Sequence, residues 1–460
     1  MTNARGNWGS KIAFILAASG SAIGLGNIWR FPTVAYQNGG AIFVQIYILF
    51  VLLIGFVVLI GEISLGRHTQ RNPVGAFKRL APGSAWRLVG VLGVLTACGV
   101  ISYYSVVAGW TLSYVFTTAG GVFNSQLTQA EISEIFGHTV GNPLKAVFWH
   151  FTFMLLTVGV VIGGVQKGIE RWSKILMPLL LLILILLVIR SLTLEGAEFG
   201  LSKFLKADWS KVSGTTVIAA IGQAVFSLSL GIGTMMTYGS YMNREENLVR
   251  SAGAVCFLDT LIAILAGLAI FPVLFTMKGM EPEVGAKLIF IVLPRLFSEI
   301  PFGTLFGTGF FVLLSLAAVT SSISLLEVPV AYFVDERGWK RKNATLLCGM
   351  IGFLVGIFSA LSLGAVDWLS GITTIGTRTM GFLDLMDLFM GQYSMTFCAM
   401  MIALFVGWRW GTPALLKEIT GEDAPPDRVR KIIAFQIRYI CPLLLIALIV
   451  ILIINPNAFA

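Results

Sequence analysis

Apolar runs of roughly 20 residues, each long enough to cross a bilayer core, recur along the whole chain. They cover 11–36, 40–66, 87–118, 145–164, 172–192, 214–241, 248–276, 303–334, 343–362, 381–408 and 433–454, eleven in all. A soluble fold is excluded: 56% of the residues are hydrophobic and 12% are charged, against about 25% charged in an ordinary soluble domain. The expected fold class is therefore an all-α integral membrane protein with eleven transmembrane helices. The opening MTNARGNWGSK has no small-residue cleavage site behind a short apolar stretch, so it reads as the tail of the first span and not as a leader.

Two of these runs carry glycine where a continuous helix would want none. The first contains Gly20-Ser21-Ala22-Ile23-Gly24-Leu25-Gly26-Asn27, with Arg30 close behind. The second, residues 222–233, reads GQAVFSLSLGIG, with Gly231 and Gly233 in mid-run. A helix broken at that depth leaves N–H and C=O groups that hydrocarbon cannot satisfy. Unwound carbonyls suit a cation, and the N-terminal end of the following half-helix suits a carboxylate. The second broken run comes five spans after the first, an odd step, so they enter from opposite sides. Paired breaks of this kind point to an inverted-repeat transporter with its site at the midplane. The chain then reads as a single transporter domain over 1–460, with repeat one at about 11–192, repeat two at about 214–408 and an additional helix at about 433–454.

The formal charge of +9 is a topology signal and points away from nucleic acid. With the N-terminus inside, roughly 22 Lys and Arg fall on cytoplasmic segments and about 9 on the opposite side, the positive-inside asymmetry. The inside set includes Arg67, Arg71, Lys78, Arg79, Lys167, Arg171, Lys174, Arg337, Lys340, Arg341 and Lys342. Eleven spans then place the C-terminus outside, in a multi-pass protein of the cell inner membrane. Cys98, Cys256, Cys348, Cys398 and Cys441 all lie within apolar runs, far apart, with neither metal nor disulfide spacing. No nucleotide loop, nucleophile elbow or zinc motif is present, so an enzyme is not expected. Residues 277–302 mix Pro and Gly with an apolar stretch and should form short helices capping the outside. Residues 409–432 read as a solvated cytoplasmic loop.

Polar residues inside apolar runs narrow the chemistry. Asp259 is surrounded by AVCFL and TLIAILAGLAIFP. A carboxylate there is either a cation ligand or a structural hydrogen-bond partner of a neighbouring helix. Asn27, Ser227 and Asp259 offer hard oxygens, too few carboxylates for calcium or magnesium and better matched to a monovalent ion. Thr320-Ser321-Ser322, preceded by Ala317 and Ala318, supplies three hydroxyls that either line a neutral cation site or bond back to their own helix. Arg30 and Asp387 are either snorkelling charges or an outer gate. Tyr104 and Phe226 are either a lid or ordinary packing.

Taken together, Trp8, the run from Gly20 through Asn27 to Ile28-Trp29-Arg30-Phe31-Pro32, then Gln37-Asn38-Gly39-Gly40, Gly61-Glu62 and Gly66-Arg67 resemble the signature of the neurotransmitter:sodium symporter family. GQAVFSLSLGIG, KGIERWSKILMPLL and TSSIS extend the likeness over at least ten spans, and the chain looks like one of the bacterial amino-acid transporters of leucine-transporter fold. The resemblance implies two sodium sites. One would use the Ala22 carbonyl, Asn27, Ser227 and Asp259 with the substrate carboxylate. The other would use carbonyls of Gly20, Ile23 and Ala317 with the hydroxyls of Thr320 and Ser321. Substrate would lie against Ser21, Ala22, Leu25, Gly26, Val100, Tyr104, Phe226, Ser227, Ser229, Ile232, Ser321 and Leu325, with room at Gly24 for its carboxylate. Arg30 with Asp387 would form the outer gate, and Arg5 with Asp335, near Trp8, Ser240 and Tyr241, the inner one.

Animal members carry a neutral residue at the position of Asp259 and bind chloride through groups matching Tyr47, Gln223 and Ser227. An ionised Asp259 would repel chloride by several kcal/mol at low effective dielectric, so chloride independence is expected, with proton antiport on the return step as an option. The chain ends after its eleventh span where many relatives have twelve, which leaves the oligomeric state open; a monomer suffices for transport. Val100, Ile232 and Leu325 line an aliphatic pocket, and a neutral hydrophobic L-amino acid is the expected cargo. A proton-driven transporter of the same fold, a transport-inactive amino-acid sensor and a channel are the rival readings.

Overall fold

The computed structural model describes residues 6–275, 285–375, 378–420 and 425–455, without the side chains of Lys211 and Arg378. Thirteen principal helices carry the architecture, labelled α1 to α13 in chain order. Lys11–Ala22 (α1) and Gly26–Gln37 (α2) form one apolar span bent by 54° at its break. Then follow α3 (Ala41–Thr69), α4 (Arg87–Ala119), α5 (Pro143–Ile162) and α6 (Val165–Leu192). The second interrupted segment is α7 (Gly214–Ser227) and the short α8 (Thr234–Gly239). The chain continues through α9 (Leu248–Leu274), α10 (Gly303–Arg337), α11 (Arg341–Leu361), α12 (Phe382–Glu418) and α13 (Asp427–Ile454). Among the described residues, nine helices are long and apolar enough to cross a membrane by themselves, and the α1–α2 pair passes as a tenth. The protein is an all-α membrane protein, as the apolar runs require.

Both interruptions fall where glycine predicted them, and their local causes are visible. Ser10 caps α1 by accepting from the Ala13 amide at 3.2 Å, and α1 stops at Ile23, whose backbone is extended. The chain re-enters helix at Gly26 through widened turns that reach Arg30. In the second segment Ser229, Gly231 and Gly233 all have positive φ, at 52°, 80° and 82°. Gly231 has a further constraint: a side chain there would meet the α12 backbone at Met395 and, at 2.7 Å, the Ala399 amide. Glycine thus serves both the left-handed turn and the close approach of α12.

The two interrupted segments sit at the centre. α1 packs on α6, α9 and α10, α8 on α3 and α10, and the most extensive helix pairing joins α4 to α10. α4 and α10 are the most enclosed of the spans and α13 the least. A hydrophobic face that remains on α13 is what a lipid-facing helix needs, since no water surrounds it in a bilayer.

The linkers between spans are more ordered than the sequence suggests. Residues 119–144 contain a helix at Gln129–Gly141, opened by a capping box in which the Thr128 side chain and Glu131 satisfy each other's amides. Exposed Glu131 is held below the usual carboxylate range by those Thr128 donors. Residues 285–302, the described part of the expected capping segment, form Leu288–Val292 and Leu293–Glu299. Thr373–Ile375 and Arg378–Met380 pair as a small antiparallel hairpin ahead of α12. One expectation fails. The described part of 409–432 is mostly helical where a loop was expected, because α12 runs on to Glu418 and α13 starts at Asp427. Gly411, with φ of 92°, kinks the chain, and Pro413 then starts a further helical stretch at Thr412–Glu418. Charged residues there lower hydropathy without opposing helix.

Candidate functional site

A cavity of about 590 Å³ opens between the two breaks. Ser21, Ala22, Gly24, Leu25, Gly26 and Asn27 come to its wall from the first break, and Phe226, Ser227, Ser229 and Ile232 from the second. α4 contributes Val100 and Tyr104, and α10 contributes Ser321 and Leu325. Every residue expected against the substrate therefore faces one space. Ser229 holds the two breaks together, its hydroxyl donating to the Ser21 carbonyl at 3.0 Å. The Ser21 hydroxyl in turn donates to Ser324 at 2.6 Å. The amide of Leu25, freed by the break, is met by the Tyr104 hydroxyl at 3.4 Å, and that of Gly24 by Asn27 Oδ1 at 3.3 Å.

Two groups of oxygen atoms flank this cavity. In the first, the Asp259 carboxylate of α9 accepts from Asn27 at 2.7 Å, from the Ser227 hydroxyl at 2.7 Å and from the Tyr47 hydroxyl at 3.1 Å. Asn27, Tyr47, Ser227 and Asp259 are all buried. Asn27 of the first break, Ser227 at the second and Asp259 of α9 thus bring an amide, a hydroxyl and a carboxylate from three separate helices to one point. Among the described residues no three His, Cys, Asp or Glu side chains gather as a multivalent-metal site. Gln223, beside this group, donates to the Gly26 carbonyl at 3.3 Å.

In the second group the Ser321 hydroxyl faces three backbone carbonyls at once, those of Gly20 at 3.3 Å, Ser21 at 3.2 Å and Ile23 at 3.2 Å. One hydroxyl hydrogen can serve only one of them. Thr320, the preceding residue, donates to the Ala317 carbonyl of its own helix at 3.0 Å. Ser322 points elsewhere, bonding Thr157 of α5 at 2.8 Å. The surplus of lone pairs in an enclosed, uncharged setting is what a small monovalent cation neutralises.

Toward one end the cavity is bounded by Arg30, Phe226 and Asp387, all in its wall. The Arg30 guanidinium lies over the Phe226 ring at 4.9 Å. It is also within electrostatic reach of Asp387. The Asp387 carboxylate is held by the hydroxyl of Tyr103 at 2.9 Å and the amide of Gln392 at 2.9 Å. At the opposite end the described N-terminal segment packs against the other helices. Trp8, 2% exposed, donates its ring N–H to the Tyr238 carbonyl at 2.9 Å and its amide to the Tyr241 carbonyl at 3.0 Å. Gly9 donates to Glu170 at 2.8 Å. Ser240 is buried, its hydroxyl turned to the Thr237 carbonyl. Asp335 is met by the amide and side chain of Asn72 at 3.0 and 3.1 Å. Arg5, expected to pair with Asp335, lies outside the described residues.

Sequence reasoning missed a buried ion pair at this end. Glu327 of α10, fully buried, accepts from the Tyr241 hydroxyl at 2.6 Å and forms a two-pronged pair with Arg341 of α11. A carboxylate in SISLLEVPV was the available signal, since intramembrane charges are rare and paired; nothing in sequence named its partner. Tyr103 and Gln392, which hold Asp387, were also unforeseen.

An all-α membrane protein whose two central helices break around a solute-sized cavity is built as a transporter. The comparisons with known proteins agree. The model of the sodium:neurotransmitter symporter family matches residues 5–136 and 134–459. A sodium-dependent transporter of Bacillus subtilis, YhdH, is 42% identical over 439 residues, covering 95% of this chain and 96% of its own. A sodium-dependent transporter of Haemophilus influenzae is 35% identical over 413 residues, covering 88% and 89%. The crystal structure of MhsT in complex with L-phenylalanine superposes with a TM-score of 0.87 at 42% identity, over 97% of this chain and 99% of MhsT. The chain belongs to the sodium:neurotransmitter symporter family and is a sodium-dependent transporter, not an enzyme.

Proposed function

We propose that this protein imports a neutral, hydrophobic L-amino acid by sodium-coupled alternating access. The observation that carries the reading is the meeting of Asn27, Ser227 and Asp259 at the head of a cavity walled by Val100, Ile232 and Leu325. A zwitterion set there places its carboxylate at the α1–α2 break, near Gly24 and the helix start that favours anions. Its side chain meets aliphatic surface, whose burial contributes about 1.5–3 kcal/mol. An acidic or basic side chain would find no partner among those three residues. MhsT, bound to L-phenylalanine in its crystal structure, is consistent with this class of cargo.

Two sodium ions suit the two oxygen groups. The first ion would lie among Ala22, Asn27, Ser227 and Asp259 and share the substrate carboxylate. Ion and carboxylate then lower each other's desolvation cost, which is the coupling. The second would lie among Gly20, Ile23, Ala317, Thr320 and Ser321, tying α1 to α10 in the arrangement seen. Chloride is not required in this reading. Tyr47 and Ser227, two of the donors expected for an anion, already donate to the Asp259 carboxylate.

The arrangement corresponds to a form closed at the Trp8 end. By the positive-inside rule that end is cytoplasmic, with the N-terminus inside and the C-terminus outside the cell membrane. Substrate would enter past Arg30 and Asp387, Phe226 and Tyr104 would close over it, and release would require Trp8 to leave its seat against Tyr238 and Tyr241. The repeats pair α1–α6 with α7–α12, α13 being an addition, and one copy of the chain contains the whole path.

Uptake into proteoliposomes tests the reading. An inward sodium gradient should drive accumulation of radiolabelled L-leucine or L-phenylalanine, with choline substitution abolishing it and chloride replacement leaving it intact. Uptake driven in choline by a pH gradient would establish the proton-coupled alternative, and sodium-dependent binding without counterflow would establish a sensor.

A further inference from the structure

Glu62 belongs to neither oxygen group. It lies in the middle of α3 with no exposed surface. One carboxyl oxygen accepts from the Gly231 amide at 2.7 Å, an N–H that the second break has released from helix. The Met236 amide is the other backbone donor that bears on it. The second carboxyl oxygen, Oε2, is buried and meets no donor among the described residues. The groups facing Glu62 from its neighbours are few. α12 presents the Cys398 thiol, itself held by Thr96 of α4 and Ser394 of α12, and the α7–α8 break presents only backbone amides. Among the described residues no Lys or Arg side chain bears on it.

An ionised carboxylate taken wholly out of water, with only backbone N–H donors, one oxygen unmet and no cation among the described residues, is costly in a membrane interior. The acid form keeps the Gly231 hydrogen bond and carries no net charge. Water reaching the break reverses the preference, because hydration favours the ionised form. We propose that Glu62 is a proton-binding site, protonated while the Ser229–Gly233 break has this arrangement and deprotonated to water when the break moves and becomes hydrated. The reaction is a proton transfer from the Glu62 carboxyl to water, leaving a carboxylate, and its reverse. Glu62 is thereby a site for a third ion, distinct from both oxygen groups, placed behind the segment that carries Ile232. This rests on the transporter reading only for what moves the break.

Infrared difference spectroscopy on the membrane-reconstituted protein tests the site. Wild type minus Glu62→Gln should show the C=O stretch of a protonated carboxyl, shifted on deuteration and retained in Asp259→Asn. Should Glu62→Gln fold poorly, Glu62→Asp keeps the acid and should move the band without removing it. A carboxylate band in the wild-type difference, or an acid band lost in Asp259→Asn but kept in Glu62→Gln, would overturn the proposal. A pH-sensitive dye enclosed in proteoliposomes tests release: the number of protons moved per amino acid should fall in Glu62→Gln, and an unchanged ratio also overturns it. Sodium-dependent binding of L-phenylalanine is measured on the same wild-type samples. Its absence would refute the transporter reading while leaving the infrared result to stand alone.

Discussion

Gly24→Ala is the smallest change that tests the cavity. A methyl group there would stand 2.7 Å from Ser321 Oγ and 3.0 Å from the Tyr104 hydroxyl. Both distances are well inside the optimum of about 3.5–4.0 Å for non-bonded carbon contacts. Neither neighbour retreats freely. Ser321 is set against the carbonyls of Gly20, Ser21 and Ile23, and Tyr104 satisfies the Leu25 amide. Overpacking of this kind costs about 1–3 kcal/mol. Taken from binding, that is a loss of about 5- to 150-fold in affinity. The expected outcome is weaker sodium-dependent binding of radiolabelled L-leucine or L-phenylalanine to the purified protein, with sodium affinity lowered as well, because Ser321 belongs to both the cavity wall and the second oxygen group. Thermal unfolding of the same samples separates this from gross misfolding. Unchanged affinity for both sodium and amino acid, at an unchanged unfolding temperature, would refute the tight junction of α1, α4 and α10 on which the site depends.

Three further outcomes follow from the same geometry. Asp259→Asn removes the one charge from the first oxygen group and should weaken sodium in sodium-dependent binding by more than about tenfold; wild-type sodium affinity would remove Asp259 from the site. Leu325→Trp or Ile232→Trp fills the cavity wall and should shift competition profiles toward small amino acids, whereas unchanged profiles would place the side-chain pocket elsewhere. Trp8→Ala empties a buried ring and removes a hydrogen bond to Tyr238, a loss of about 3–5 kcal/mol from the closed end. A cysteine at Ser240 should then react faster with a water-soluble thiol reagent, and an unchanged rate would mean that Trp8 is not the plug.

Much of this was readable in the chain because bilayer physics leaves few choices. Apolar length sets the spans, and glycine in mid-span marks the interruptions at Gly24 and at Gly231–Gly233 to within a residue or two. The polar residues Asn27, Ser227 and Asp259 were conspicuous for being where hydrocarbon should be. Helix ends were less legible: Arg409, Lys417 and Glu418 depress hydropathy, yet α12 continues through them once clear of the apolar core. Least legible were pairings between helices. Glu327 and Arg341 sit on different spans, and only the turn between α10 and α11 brings them together. Glu62 appeared in sequence as part of a motif, and its backbone donors at Gly231 and Met236 belong to the second interrupted segment, not to α3.

Ser229 is one of three residues other than glycine that the described chain holds at positive φ. Such a residue stores about 1–2 kcal/mol of torsional energy, and here it sits beside one of the bonds that tie the two interrupted helices together, from the Ser229 hydroxyl to the Ser21 carbonyl; Gln223 to Gly26 and Asn27 to Ser227 are others. Together they act as a clasp. In the alternating-access reading, these bonds would have to open before either interrupted helix could swing. Such a requirement would gear the two interrupted segments to move together, and a carrier geared in that way would not leak.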